Sequence, residues 1–160
     1  MHQTTQYLDK TIELLKILPD FCERFYMTKQ TEITSLTQYN YASRMKLFLQ
    51  YLQTNVPRFA NTSLSDFSLT DMASITEDEA ITFSESILEA GKSDSTAYAY
   101  CESISAYYTF FFKSRFKLPD GSYFFENPFE GIKPKKSKRQ IQSVYENKTQ
   151  CITINSMVIH

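Results

Sequence analysis

Tyr41, Met45, Phe48, Leu49 and Leu52 stand at i, i+4, i+7, i+8 and i+11. That spacing makes one stripe on an α-helix and no face of a strand. Ser35-Leu36-Thr37-Gln38 opens the run and fits a capping box, in which a hydroxyl and an amide satisfy two free backbone donors. The pattern predicts a helix over 35–54, ended before Pro57 because the residue ahead of proline avoids helical geometry. Its opposite face would carry Tyr39, Ser43, Lys46 and Gln50.

The same period recurs along the chain. Residues 6–17 place Leu8, Ile12 and Leu15 on one stripe, with Leu14 at its edge. Pro19 suits the first turn of a second helix, with Asp20 and Glu23 where the helix dipole favours acid and Phe21, Cys22 and Phe25 on its apolar side. Residues 61–70 read as a loop rich in Ser, Thr and Asn, anchored by Leu64, Phe67 and Leu69. A short helical turn follows at 71–75. Thr76-Glu77-Asp78-Glu79 is a second capping box, leading a helix with Ile81, Ile87 and Leu88, and Phe83 or Ser84 between, that stops at Gly91.

Ser93-Asp94-Ser95 caps the last long helix, whose inner stripe is Ala97, Cys101, Ile104, Tyr108 and Phe111, widened by Tyr100, Tyr107 and Phe112. Lys113, Arg115 and Lys117 place cations toward its end. Pro119-Asp120-Gly121 marks a tight turn, and Ser122-Tyr123-Phe124-Phe125 a short extended piece. The expected fold is therefore all-α, with an irregular C-terminal tail after Gln140. At 160 residues the chain suits one domain, preceded by a helical extension over 1–17 and followed by a basic linker and tail over 133–160.

Composition narrows the chemistry. Three glycines exclude glycine-rich nucleotide loops. Cys22, Cys101 and Cys151 have no C-x-x-C spacing, so neither zinc nor a disulfide framework is expected, and no metal or other cofactor is. The two histidines are His2 and His160, at the ends, which leaves no Cys–His or Ser–His pair for the folded body. No apolar run approaches the roughly 18 residues of a membrane span, and the start has no basic region followed by an apolar stretch. A cytoplasmic location is expected, with no membrane partner and no small-molecule substrate.

Charge is uneven. Residues 1–132 carry 11 Lys and Arg against 17 Asp and Glu, whereas residues 133–160 carry 6 bases and one acid, Glu146. Lys133, Lys135, Lys136, Lys138 and Arg139 crowd into seven positions, a pattern that suggests a polyanionic partner. Eight acids lie between Asp66 and Asp94 beside a single base, Lys92, so that region is expected to face away from such a partner or toward a neighbouring protomer.

Thr37, Tyr41, Phe48, Leu49 and Leu52 resemble the T-x-x-x-Y-x-x-x-L-x-x-F-L-x-x-L helix of tyrosine recombinases (phage-type integrases), with Met45 at the usual Leu. Thr96 and then Ser105-Ala106-Tyr107-Tyr108-Thr109-Phe110-Phe111 resemble the family's second signature, T…L-S-A-L-R-S-F-F. Here Tyr107 replaces its Leu and Tyr108 its Arg. Asn127-Pro128 and Lys133-Pro134-Lys135-Lys136 are similar to the N-P…P-K exit toward the catalytic domain.

The resemblance covers residues 18–136. It implies the core-binding domain, an orthogonal SAM-like bundle of four to five helices that forms one jaw of a clamp around DNA. The family's catalytic set of arginines, lysine, histidines and a tyrosine nucleophile is not matched in this sequence, so a non-catalytic, truncated chain is expected. Its implied partners are double-stranded DNA, a catalytic domain and other recombinase protomers.

Thr37, Gln38, Ser95 and Thr96 lie at predicted helix N-termini, where free N–H groups can receive phosphate. With Tyr39, Ser43, Lys46 and Gln50 on the outer face and the five bases of the linker, they form the candidate DNA-binding set. A helical protein-interaction module with an incidental basic tail is the competing reading, favoured by the acidic body.

Overall fold

The computed structural model describes residues 2–132 apart from Phe125, and the side chains from Thr5 onward. The described chain is all-α. Its helices are α1 (His2–Leu15), α2 (Asp20–Lys29), α3 (Ser35–Asn55), α4 (Leu69–Ala73), α5 (Glu77–Glu89) and α6 (Asp94–Lys113). Two single 3₁₀ turns, Pro57–Phe59 and Leu64–Asp66, join α3 to α4. The expected tail lies outside the described residues.

Local chemistry explains the starts. Ser68 and Thr76 each form a reciprocal capping box, with Asp71 and Glu79 as their partners. α3 is capped by Thr34 rather than Ser35: the Thr34 hydroxyl accepts from the Thr37 amide at 3.2 Å and donates to the Thr37 hydroxyl at 2.9 Å. Pro19 is the N-cap of α2, one position ahead of its expected place in the first turn. Gly91 follows α5 at φ +91°, the left-handed geometry that a helix stop requires.

The core is aromatic and sits between α3, α5 and α6. Met45, Phe48, Leu49 and Leu52 of α3 are fully buried, as are Ile104 and Phe111 of α6. Phe48 packs edge-on against Phe83 of α5 and Phe129 beyond α6. α2 closes another side, its Phe25 ring stacked on Tyr107 at 4.1 Å. The Tyr108 hydroxyl donates to the Met72 carbonyl, which ties α6 to α4.

Several apolar residues face the other way from the sequence expectation. Leu8 and Ile12 of α1 are exposed while Thr11 is buried. The Thr11 hydroxyl donates to the Tyr7 carbonyl at 2.8 Å, so its polar atom is satisfied and its methyl can enter the interior. Ile81 of α5 and Phe112 of α6 also point outward, whereas Phe83 and the expected Phe111 fill the interior. α6 ends at Lys113, so Arg115 and Lys117 lie past it, on a turn closed by an isolated bridge from Lys117 to Tyr123.

Candidate nucleic-acid interface

α3 and α6 cross antiparallel. Tyr41 lines one groove with Ala106, while three residues later Arg44 reaches back to Ser103 and Tyr100. Thr37 and Thr96, each near a helix start, therefore lie at opposite ends of this pair. The two predicted phosphate-receiving termini are not brought together.

Each terminus is built alike. At α6 the Ser93 hydroxyl accepts from the Thr96 amide at 3.1 Å and donates to the Thr96 hydroxyl at 3.0 Å, repeating the arrangement of Thr34 and Thr37. Ser95 is exposed, and Thr37 and Thr96 are half-buried. One amide at each start is thus already satisfied by the cap.

Gln38 is a correction. It is buried, and its side-chain amide donates to the Tyr26 carbonyl at 2.9 Å, fastening α2 to α3. With the cap at Thr34, Gln38 falls one position too late for the capping box and turns inward. A buried amide needs a partner, and the last turn of α2 offers a carbonyl.

The outer face of α3 is also less open than its polarity suggests. α1 lies along α3. The Tyr7 ring sits 5.5 Å from that of Tyr39, and the Lys10 ammonium lies 5.6 and 5.8 Å from the two ring centres. Tyr39, Ser43 and Lys46 are half-buried, and Gln50 is exposed. The Ser43 hydroxyl donates to the Asn40 carbonyl at 3.3 Å. Lys46 makes no ion pair among the described residues. Lys133, Lys135, Lys136, Lys138 and Arg139 lie outside the described residues.

Arg44, on the α6 side of α3, was not singled out by the helical pattern. Half-buried, it donates from Nη1 to the Ser103 hydroxyl at 2.9 Å and stacks 5.2 Å from the Tyr100 centroid. No carboxylate pairs with it among the described residues. The unusual residue pattern Arg–Ser–Tyr across two helices is visible only once the helices are paired.

Nucleophile chemistry finds no support in the buried tyrosines. Burial pushes the hydroxyls of Tyr107 and Tyr108 well above the usual phenol range. Burial likewise pushes up the Cys22 thiol, against the opposing hydrogen bond with Tyr107, and raises Cys101 to about 11. These groups stay neutral at physiological pH. Among the described residues no helix is long and apolar enough to cross a membrane. Compared with known protein families, curated proteins and solved structures, the chain matches none of them.

Proposed function

We propose that this chain is a DNA-binding core domain of a site-specific tyrosine recombinase, holding one face of the strand-exchange site and carrying out no strand transfer by itself. The observation that carries the reading is the meeting of three of its recombinase-like segments. Asn127 donates from its side-chain amide to the Ser105 hydroxyl at 2.8 Å, joining the N-P exit to the second signature helix. Two residues on, Phe129 packs against Phe48 of the first signature helix and Tyr108 of the second. Segments far apart in sequence thus form one packed unit, and the basic segment follows Ile132 in the sequence. In this reading the protein works in the cytoplasm on double-stranded DNA, beside a catalytic domain and other protomers.

Titration of a labelled duplex over a salt series tests it. If all five linker bases reach phosphates, they should contribute about −4 to −5 to the slope of log K against log salt. Replacing Lys133, Lys135, Lys136, Lys138 and Arg139 together by Ala should remove most of the affinity. No binding at low salt, or binding indifferent to those replacements, counts against the reading, as does nicking or a covalent tyrosyl adduct formed by the purified chain.

A protein-interaction module is the second reading, and one feature favours it. α5 and α6 enclose a cleft of about 290 Å³ floored by Ile81, Leu88 and Tyr98 and rimmed by Glu77, Glu85 and Asp94. Such a cleft suits a basic, apolar segment of a partner protein, whose binding would be insensitive to the linker bases.

A further inference from the structure

Beyond the end of α6 the surface changes sign. Arg24, Arg115 and Lys117 are exposed, and none has a carboxylate partner among the described residues. Each instead rests on an aromatic ring. The Arg24 guanidinium lies 4.0 Å over Phe116, a ring itself held against Phe110 at 5.4 Å. Arg115 and Lys117 share Tyr123, at 4.6 and 5.7 Å from its centroid.

Two features hold this array in place. Arg115 sits at φ +54°, a left-handed backbone rare outside glycine, which turns the chain sharply out of α6. The turn behind it is closed by the Leu118 amide on the Ser122 carbonyl and the Gly121 amide on the Leu118 carbonyl, both at 2.8 Å. The acid within that turn is occupied: the Asp120 carboxylate accepts from the Ser122 amide and hydroxyl at 2.9 and 2.6 Å. Two cations therefore share one ring with no acid recruited between them, a repulsive arrangement that an array of anions would relieve. Neither cation is placed to serve as a cap of α6, since the last helical carbonyls are taken by the amides of Ser114, Arg115 and Phe116.

We infer that Arg24, Arg115, Lys117 and Tyr123 form a second nucleic-acid contact, separate from the linker, that grips the phosphate backbone of a duplex. Cations resting beside rings lose less freedom on binding a phosphate than free side chains do, and the planar guanidinium of arginine can still present paired donors. A chain of phosphates fits better than a lipid surface. The exposed apolar side chains on the flanking helices are single: Met27 stands one turn from Arg24 on α2, and Phe112 of α6 lines a cleft with Glu126 and Glu130, acids that repel anionic lipid. Ile132, the last described residue before the linker, lines a cleft with Asp94 and Ala97 at the start of α6, whereas the patch lies past its end, and a 20-residue helix spans about 30 Å. The inference rests on the DNA reading above for its ligand and on its own residues for the site.

The test compares the 160-residue protein with two variants, one carrying Arg24→Gln, Arg115→Asn and Lys117→Gln, the other lacking the five linker bases. Asn is chosen at 115 because it tolerates left-handed backbone; thermal melts confirm that each variant folds. On duplex DNA the patch variant should flatten the salt slope by about 2–3 and the linker variant by about 4–5. Lys117→Arg should restore the slope lost by Lys117→Gln alone. A patch variant with unchanged slope and affinity, while the linker variant fails, overturns the inference and leaves the proposed function standing. Loss in the patch variant alone supports the patch and sinks the role given to the linker. Binding to anionic vesicles with none to DNA overturns both.

Discussion

The Arg58 guanidinium grips the Glu79 carboxylate through two bonds of 2.6 and 2.8 Å, while its Nη2 also donates to the Ser74 carbonyl at 3.1 Å. Glu79 is at the same time the acid of the α5 capping box, accepting from the Thr76 amide at 3.0 Å. One side chain thus fixes the start of α5 and links it to the turn after α3. The acidic stretch between Asp66 and Asp94 is tied to the bundle through this arginine.

The pair predicts an acid-sensitive start of α5. The hydrogen bond from Arg58 first, helped by the Thr76 bonds and opposed by burial, holds the Glu79 carboxyl below the usual carboxylate range. A depressed folded value means that its contribution to stability is present above the ordinary Glu value of about 4.3 and is lost as pH falls through the folded one. Glu79→Gln keeps an acceptor for the cap but not the charge, so its melting temperature should vary less than the native protein's below about pH 5. At neutral pH Glu79→Ala should cost about 1–2 kcal/mol, most of it from the cap, because the pair is largely solvent-screened. Identical pH profiles for the native and Gln forms would refute the coupling.

Phe48 has no exposed surface and touches rings of two other elements, Phe83 at 4.9 Å and Phe129 at 5.3 Å. Truncation to Ala should destabilise the fold by about 3–5 kcal/mol in urea unfolding. Phe129→Ala should share part of that loss, since the two rings are in contact and their effects are not additive. A loss below about 1 kcal/mol for Phe48→Ala would mean that this core is not close-packed.

Tyr108→Phe isolates one hydrogen bond. The hydroxyl is buried and donates to the Met72 carbonyl, which the backbone amide of Ile75 also approaches at 3.4 Å. The acceptor therefore keeps a weak partner, and the expected loss is about 0.5–1.5 kcal/mol, not the full cost of an orphaned carbonyl. Calorimetry showing no change in melting temperature would remove this tether from the account of how α4 is held.

How far the sequence could be read follows from where each residue finds its partner. The stripes from Met45 to Leu52 and from Ala97 to Phe111 were legible because large apolar side chains at helical spacing have one economical destination. The caps at Thr76 and Ser93 were legible because the partner is three residues away. Gln38 was read as a surface contact and Thr11 was not picked out at all, since each is polar and each is satisfied by a carbonyl that sequence does not reveal. For Thr11 that carbonyl is on its own helix, and for Gln38 it is on the preceding one. The same blindness hid Arg44, whose partners Ser103 and Tyr100 are nearly sixty residues away. On the candidate interface the polarity of Tyr39, Ser43 and Lys46 was readable, but their partial burial was not. It depends on α1, whose inward face is set by Tyr7 and Thr11 and not by the apolar Leu8 and Ile12.

That misreading separates two residues that looked equivalent, and it yields the last prediction. Gln38 is a structural tether, while Lys46 is a half-buried cation with no ion-pair partner among the described residues. Gln38→Ala leaves the Tyr26 carbonyl without its side-chain donor and opens space at the α2–α3 contact. It should cost about 1–3 kcal/mol in stability and, in protein still folded at the assay temperature, leave the salt slope of DNA binding unchanged. Lys46→Ala breaks no ion pair among the described residues and removes only part of a stem packed on the surface, so stability should change by less than about 0.5 kcal/mol. If the outer face of α3 approaches phosphate, the slope should flatten by about 0.9, the share of one ionic contact. The two variants should thus move opposite observables, melting temperature for one and salt dependence for the other. A Gln38→Ala protein with native stability and a flattened slope would return Gln38 to the interface. A Lys46→Ala protein with an unchanged slope would place the DNA contact elsewhere, away from this face of α3.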